Sequence, residues 1–137
     1  MERINDKKNE IEKYLKELDA ILPQNFEEYL ANLEKRLACE RAMEKIIEAV
    51  NDFAIILIKE KRLPTPKDDL NAFDILSDKE IISKELSAKL KDAKGMRNFL
   101  AHQYGKIDDE LVFQAVSEEL PKDVEEFLEK MEKIKLI

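Results

Sequence analysis

Cysteine is almost absent. Cys39 stands alone, which excludes an internal disulfide and leaves no thiolate set for a structural metal. There are two glycines, Gly95 and Gly105, so there is no glycine-rich loop of the kind that cradles a phosphate. The single histidine, His102, excludes a His/Cys zinc cluster, and no strand–turn–helix serine signature occurs. No apolar run approaches the 18 residues of a membrane span, so no membrane association is expected. Met1-Glu2-Arg3 leads straight into a polar helix rather than a signal peptide, and a lone thiol fits a reducing cytoplasm. Positive charge is in deficit, 24 Lys and Arg against 31 Asp and Glu, for a net charge of −7. Proteins that coat nucleic acid carry a basic face, because neutralising phosphate supplies most of that affinity. A broad nucleic-acid surface is therefore excluded, whereas a small cleft with a few cations is not.

What is present is helix-forming. Charged residues make up 40% and apolar residues 44%, a mixture too apolar for disorder. The chain, 1–137, reads as one domain able to bury on the order of two-thirds of its unfolded surface. Ile4, Ile11, Leu15, Leu18 and Leu22 form a heptad-like stripe that Pro23 ends. Asn25 with Glu28 reads as a capping box opening a long helix from about Phe26 to Lys61. Its first half carries one stripe, Leu30, Leu33 and Leu37. Its second half carries two, Ile46-Val50-Phe53-Leu57 and Met43-Ile47-Ala54-Ile58. A helix apolar on two sides is central to its bundle, or shared with a second subunit.

Leu63-Pro64-Thr65-Pro66 reads as a loop and Leu70 to Leu76 as a short helix. Ser77-Asp78-Lys79-Glu80 reads as a capping box for the next helix, and Asp108 as the cap of another. Leu120-Pro121 is expected to interrupt that helix, since the residue before proline avoids helical geometry. Val124, Phe127, Met131 and Ile134 then supply the inner face of the last one. Nothing alternates with strand period. The fold class is all-α, an antiparallel helical bundle of four to five main helices.

One run concentrates the rare residues: Gly95-Met96-Arg97-Asn98-Phe99-Leu100-Ala101-His102-Gln103-Tyr104-Gly105. Leu86, Leu90 and Ala93 step along one helix stripe, and the same stepping continues to Arg97, Leu100 and Tyr104. The stripe thus turns from leucine to arginine where a core residue is expected. A buried guanidinium needs a partner charge, a second subunit or an anion. Pairing with a carboxylate on a neighbouring helix is the plainer of these readings. On an ideal helix His102 lies roughly 140° from Arg97, on the side of Asn98. The two residues serve one phosphate only if the helix loosens or a two-fold axis brings copies together. The plainer reading of His102 is a terminal histidine favouring the helix dipole, and that of Tyr104 a half-buried aromatic.

Arg97-Asn98-x3-His102-x-Tyr104, followed by Ile107-Asp108, resembles the Arg-x4–6-His motif of HEPN-domain ribonucleases, with the His-x-Tyr of their HepT branch. The resemblance extends to Glu40-Arg41-Ala42, Ile46-Ile47-Glu48-Ala49, Ala72-Phe73 and Leu76, and so covers most of the chain after Asn25. It implies metal-independent RNA cleavage with no cofactor, in which the ribose 2′-hydroxyl attacks the adjacent phosphate. Arg97 and His102 would be the catalytic pair, Asn98 would orient His102, and Tyr104 would contact the substrate. His102 has the one side chain here with an ordinary pKa near neutrality. One histidine does not easily serve as base and acid together, so a two-fold homodimer is expected to pool two motifs in one cleft. The resemblance also implies a partner, a MntA-like nucleotidyltransferase antitoxin that silences the toxin by adenylylating Tyr104.

Two other classes stay open at this point. One is a non-catalytic subunit that binds nucleotide or substrate for a partner nucleotidyltransferase. The other is a helical dimer whose motif is structural. Glu40, Arg41 and Asp52 on the long helix read as ion-pairing residues, and Asp68-Asp69 and Asp108-Asp109-Glu110 as helix-start acids rather than metal ligands.

Overall fold

A computed structural model describes residues 2–68, 70–102 and 107–134, apart from the side chains of Ala101 and His102. Among the described residues seven α-helices follow one another: α1 (Glu2–Ile21), α2 (Phe26–Ala31), α3 (Leu33–Glu60), α4 (Asn71–Asp78), α5 (Lys84–His102), α6 (Asp109–Gln114) and α7 (Leu120–Glu132). A π-helical turn, Ala115–Glu119, joins the last two. The four long helices α1, α3, α5 and α7 are the bundle proper, as the periodicity predicts. No helix among the described residues is long and apolar enough to cross a membrane.

The heptad stripe of α1 buries Ile4, Ile11 and Leu18. α1 runs antiparallel to α3: Lys7 Nζ is 3.7 Å from Asp52 Oδ2, and Lys45 Nζ is 3.6 Å from Glu17 Oε1. Lys45 Nζ also lies 4.4 Å from the centre of the Tyr14 ring. α7 is antiparallel to α1 as well, with Lys8 Nζ 2.8 Å from Glu132 Oε1 near their opposite ends. Phe53 of α3 meets Phe127 of α7 edge to face, with centroids 5.5 Å apart, at the middle of the core. α3 is central from Met43 to Ile58, where buried residues occupy most of its circumference, Asn51 among them. That is the first of the two alternatives left by its double stripe.

Three sequence expectations are corrected. The long second helix is broken at Asn32, whose backbone is extended (φ −120°, ψ 100°) and whose Oδ1 accepts from Lys35 N at 3.0 Å. Asparagine competes with the helix for its own backbone and recaps the chain. Asn25 does cap α2, accepting from Glu28 N at 2.9 Å, but Glu28 Oε2 reaches Gln24 N rather than closing the box on Asn25.

Second, Ser77 and Asp78 end α4 instead of opening α5. The cap of α5 is Ser83, whose Oγ accepts from Leu86 N at 3.0 Å. The stop at α4 is a Schellman turn: Ile81 N donates to Leu76 O at 2.9 Å and Glu80 N to Ser77 O at 3.0 Å. Glu80 takes the left-handed conformation this requires (φ 60°), as Arg62 does in the matching turn after α3 (φ 56°). A glycine-poor chain therefore ends two helices on side chains strained by their Cβ atoms. Glu80→Gly is expected to stabilise the protein by about 0.5–1 kcal/mol. Urea unfolding checks this, and a lower midpoint would refute the strain at this position.

Third, Pro121 does not interrupt the C-terminal helical path. Its missing N–H and ring crowding against the carbonyl four residues back are absorbed by the π-helical turn. Leu120 N donates five residues back to Ala115 O, and the Ser117 hydroxyl takes up Phe113 O at 2.6 Å. The expectations for α6 and α7 hold. Asp108 Oδ1 accepts from Glu110 N and Leu111 N, and Val124, Phe127 and Met131 are buried.

Candidate active site

Arg97 lies in the last turns of α5, where the helix's unpaired carbonyls favour positive charge. Leu86, Leu90 and Leu100 on its stripe are buried, and Arg97 sits at the rim with its side chain 28% exposed. Its Nη2 is 3.5 Å from Glu48 Oε2 of α3, and its Nη1 donates to Asn98 Oδ1 at 3.1 Å. Its Nε is buried and has no hydrogen-bond partner. The neighbouring-helix carboxylate anticipated for Arg97 is thus present. It is a loose one, since Glu48 is 57% exposed and a pair of this kind contributes little. Asn98 holds the guanidinium through Nη1 while the Nη2 contact is exchangeable, so an incoming phosphate oxygen can take the place of Glu48.

Asn98 is expected to orient His102; its described contact is with the guanidinium of Arg97. His102 is the last residue of α5. Its side chain and all of Tyr104, the adenylylation position implied by the resemblance, lie outside the described residues.

Around Arg97 the face of α3 is charged. Arg41 Nη1 is 3.2 Å from Glu44 Oε2, and Glu44 and Glu48 are one helical turn apart on that face. Arg41 and Asp52 each pair with an ion, as the sequence reading has it, Asp52 with Lys7 of α1. Glu40 is different. Burial pushes its carboxyl above the usual range, Asp109 and Glu44 push the same way, and Arg36 opposes them. Arg36 instead pairs with Asp109 at 3.7 Å, at the start of α6. Glu40 therefore faces the point where the chain returns from the motif segment. Cys39, next to it, is buried and its thiol is pushed up by that burial, which makes it a poor nucleophile.

Toward the N-terminal end of the same face, the leucine stripe is not buried. Leu33 is 58% and Leu37 54% exposed, and Leu30, on α2 before the break at Asn32, is also exposed. Leu33, Leu37, Glu44 and Glu48 are related by helical spacing, so the bare leucines and the Arg97–Glu48 pair share one side of α3.

Comparison with known proteins gives a consistent picture. The family profile described as "Ribonuclease HepT-like" matches residues 11–131. A "tRNA nuclease HepT" of Aphanizomenon flos-aquae is 31% identical over 110 residues, spanning 78% of this chain and 73% of the relative. An "mRNA nuclease HepT" of Shewanella oneidensis is 28% identical over 87 residues, 64% of this chain and 65% of the relative. Among solved structures, a tri-AMPylated Shewanella oneidensis HEPN toxin in complex with an MNT antitoxin superposes with a TM-score of 0.89 at 21% identity, covering 96% of this chain and 97% of that one. At that identity the last likeness concerns the fold.

Proposed function

The chain belongs to the HepT-like ribonuclease family, and on that premise we propose that it is a metal-independent endoribonuclease toxin acting as a homodimer. The observation that carries this reading is Arg97, fixed at the end of α5 with an exposed, replaceable carboxylate at its tip. In the proposed reaction His102 of one protomer removes the proton from a ribose 2′-hydroxyl. The oxygen attacks the adjacent phosphorus, and Arg97 meets the charge that accumulates on the phosphorane oxygens. A second His102 protonates the departing 5′-oxygen. The products are a 2′,3′-cyclic phosphate and a free 5′-hydroxyl. Asn98 keeps the guanidinium in register through its Oδ1, and Tyr104 contacts the substrate.

Two acid–base groups require two chains, and the bare side of α3 offers a place for the second. Pairing that side about a two-fold axis covers Leu33 and Leu37 and brings two Arg97–Glu48 pairs toward one groove. Leu37→Glu is expected to yield a folded monomer in sedimentation and to lose cleavage with the dimer. A cleaving monomer would remove the shared-groove mechanism.

The regulator is proposed to be a MntA-like nucleotidyltransferase that adenylylates Tyr104. The added AMP brings bulk and negative charge beside Arg97, filling the place of the RNA phosphate. The decisive experiment incubates the purified protein with mixed RNA in EDTA, before and after treatment with the transferase and ATP. Cleavage in EDTA that transferase treatment silences, together with a Tyr104→Phe variant that stays active under the same treatment, supports the reading. An inert, folded wild type that binds nucleotide or the transferase points to a non-catalytic subunit instead.

A further inference from the structure

A second polar site lies on the adjoining flank of α5, toward Lys89, Asp92 and Met96. A cavity of about 280 Å³ opens between α3, α5 and the start of α7, bounded by Met43, Met96 and Leu120. Asp123 lines it and is only 9% exposed. Among the described residues no hydrogen bond or ion pair holds its carboxylate; Lys89 and Lys122 act on it only at longer range. Burial pushes this carboxyl above the usual range, Lys89 opposes, Glu126 and Glu119 add to the rise, and Lys122 opposes again. Asp123 is thus a largely buried residue whose carboxylate has no protein donor and presents its acceptors to whatever fills the cavity. The π-helical turn contributes Ala115 and Glu119 to the same wall, and such turns recur at functional sites.

The occupant has to bring hydrogen-bond donors to an acceptor-only floor, a flat apolar body to the methionine walls, and negative charge to the lysines. An aliphatic cation supplies the first but brings no flat body to the methionine walls and no negative charge to Lys89 and Lys122. A nucleotide whose base presents two adjacent N–H donors supplies all three. We propose that this cavity binds a guanine nucleotide, with Asp123 accepting from the N1–H and 2-amino groups, Met43 and Met96 against the base, and Lys89 and Lys122 toward the phosphate. Asp92 at the rim leaves the lining slightly acidic, which sets selectivity for a donor-bearing base above raw affinity for phosphate. Met96 precedes Arg97, so a base held here belongs either to a free nucleotide or to RNA passing toward the motif. Only the RNA source rests on the nuclease reading.

The test is calorimetric titration of the whole protein with GMP, IMP and AMP. GMP is expected to bind about tenfold more tightly than IMP, which lacks the 2-amino donor, and AMP to bind most weakly. Asp123→Asn is expected to erase that order. It also relieves the charge that burial disfavours, so its melting temperature at pH 7 stays level or rises, and lost binding is not lost folding. Ala93→Phe, which fills the cavity from α5, should abolish GMP binding, with RNA cleavage persisting if the source is the free nucleotide and falling if it is RNA. A guanine-centred 2′-deoxy trinucleotide that binds more tightly than GMP identifies RNA as the source; the reverse identifies the free nucleotide. Equal affinity for GMP and AMP, or an unchanged order in Asp123→Asn, overturns the proposal. Because the titration uses no cleavage, a failure of the nuclease reading leaves its outcome intact.

Discussion

Arg97→Ala is expected to lower the rate of RNA cleavage by about 10²–10³-fold, the usual cost of removing one stabiliser of developing charge. Its stability should hardly change. The lost pair with Glu48 is exposed and contributes at most about 1 kcal/mol, and the substitution also removes a buried Nε that has no partner. Catalytic and structural roles therefore separate by magnitude, with a large fall in rate beside a small shift in unfolding midpoint. Arg97→Lys keeps the charge but not the two-pronged donor geometry, so it should recover only part of the rate. His102→Ala is expected to cost about 10²–10⁴-fold. Because the proposed reaction uses both copies of His102, mixed dimers of wild type with the His102→Ala protein should cleave about as poorly as the variant itself. Single-turnover rates on a defined RNA, at concentrations where the dimer persists, give the comparison. An alanine at position 97 that cleaves within about threefold of wild type would reduce Arg97 to the ion-pairing role of the plainer reading.

Phe127→Ala should produce the largest loss of stability among single substitutions. Phe127 is fully buried and meets Phe53 edge to face across α3 and α7. Truncating a buried phenylalanine costs about 3–5 kcal/mol, from lost transfer energy and the void left behind. The aromatic pair adds about 0.5–1.5 kcal/mol beyond its area. Domains have about 5–15 kcal/mol in total, so this one change removes a large share. Phe127→Leu keeps most of the volume and should lose distinctly less. Urea unfolding of the three proteins measures the series, and a loss below about 1 kcal/mol for the alanine variant would mean that α7 is not anchored there.

The helices were legible because their apolar residues repeat at helical spacing. Ile4, Ile11 and Leu18 on α1, the double stripe of α3, and Val124, Phe127 and Met131 on α7 are each buried as their spacing requires. Caps with a local mechanism were legible for the same reason: Asn25 and Asp108 act within three residues of themselves. Turns that depend on competition were not. Serine and acid at 77–80 fit a helix start and a helix stop equally well. The left-handed Glu80 became affordable only once Ile81 could return to Leu76. Asn32 broke a helix that every neighbouring residue favours. Pro121 was read as an interruption because local sterics forbid a straight helix, whereas packing of α7 on the core makes a π-helical turn the cheaper solution.

For the site, the sequence by itself singled out Arg97, Asn98, His102 and Tyr104, because rare residues at fixed spacing need no tertiary information to be noticed. It also determined the all-helical class, since period and caps are properties of neighbours along the chain. Only the tertiary structure decided that Glu48 is the carboxylate facing Arg97, that Leu33 and Leu37 stay bare while the other stripes are covered, and that Asp123 stands over a cavity. Asp123 did carry a faint signal, an acid three residues after Leu120 and four before Phe127 on the inner stripe of α7. Spacing places a residue on a face of its own helix. Which helix covers that face, and whether a charge there finds a partner, depends on contacts between segments far apart in the chain.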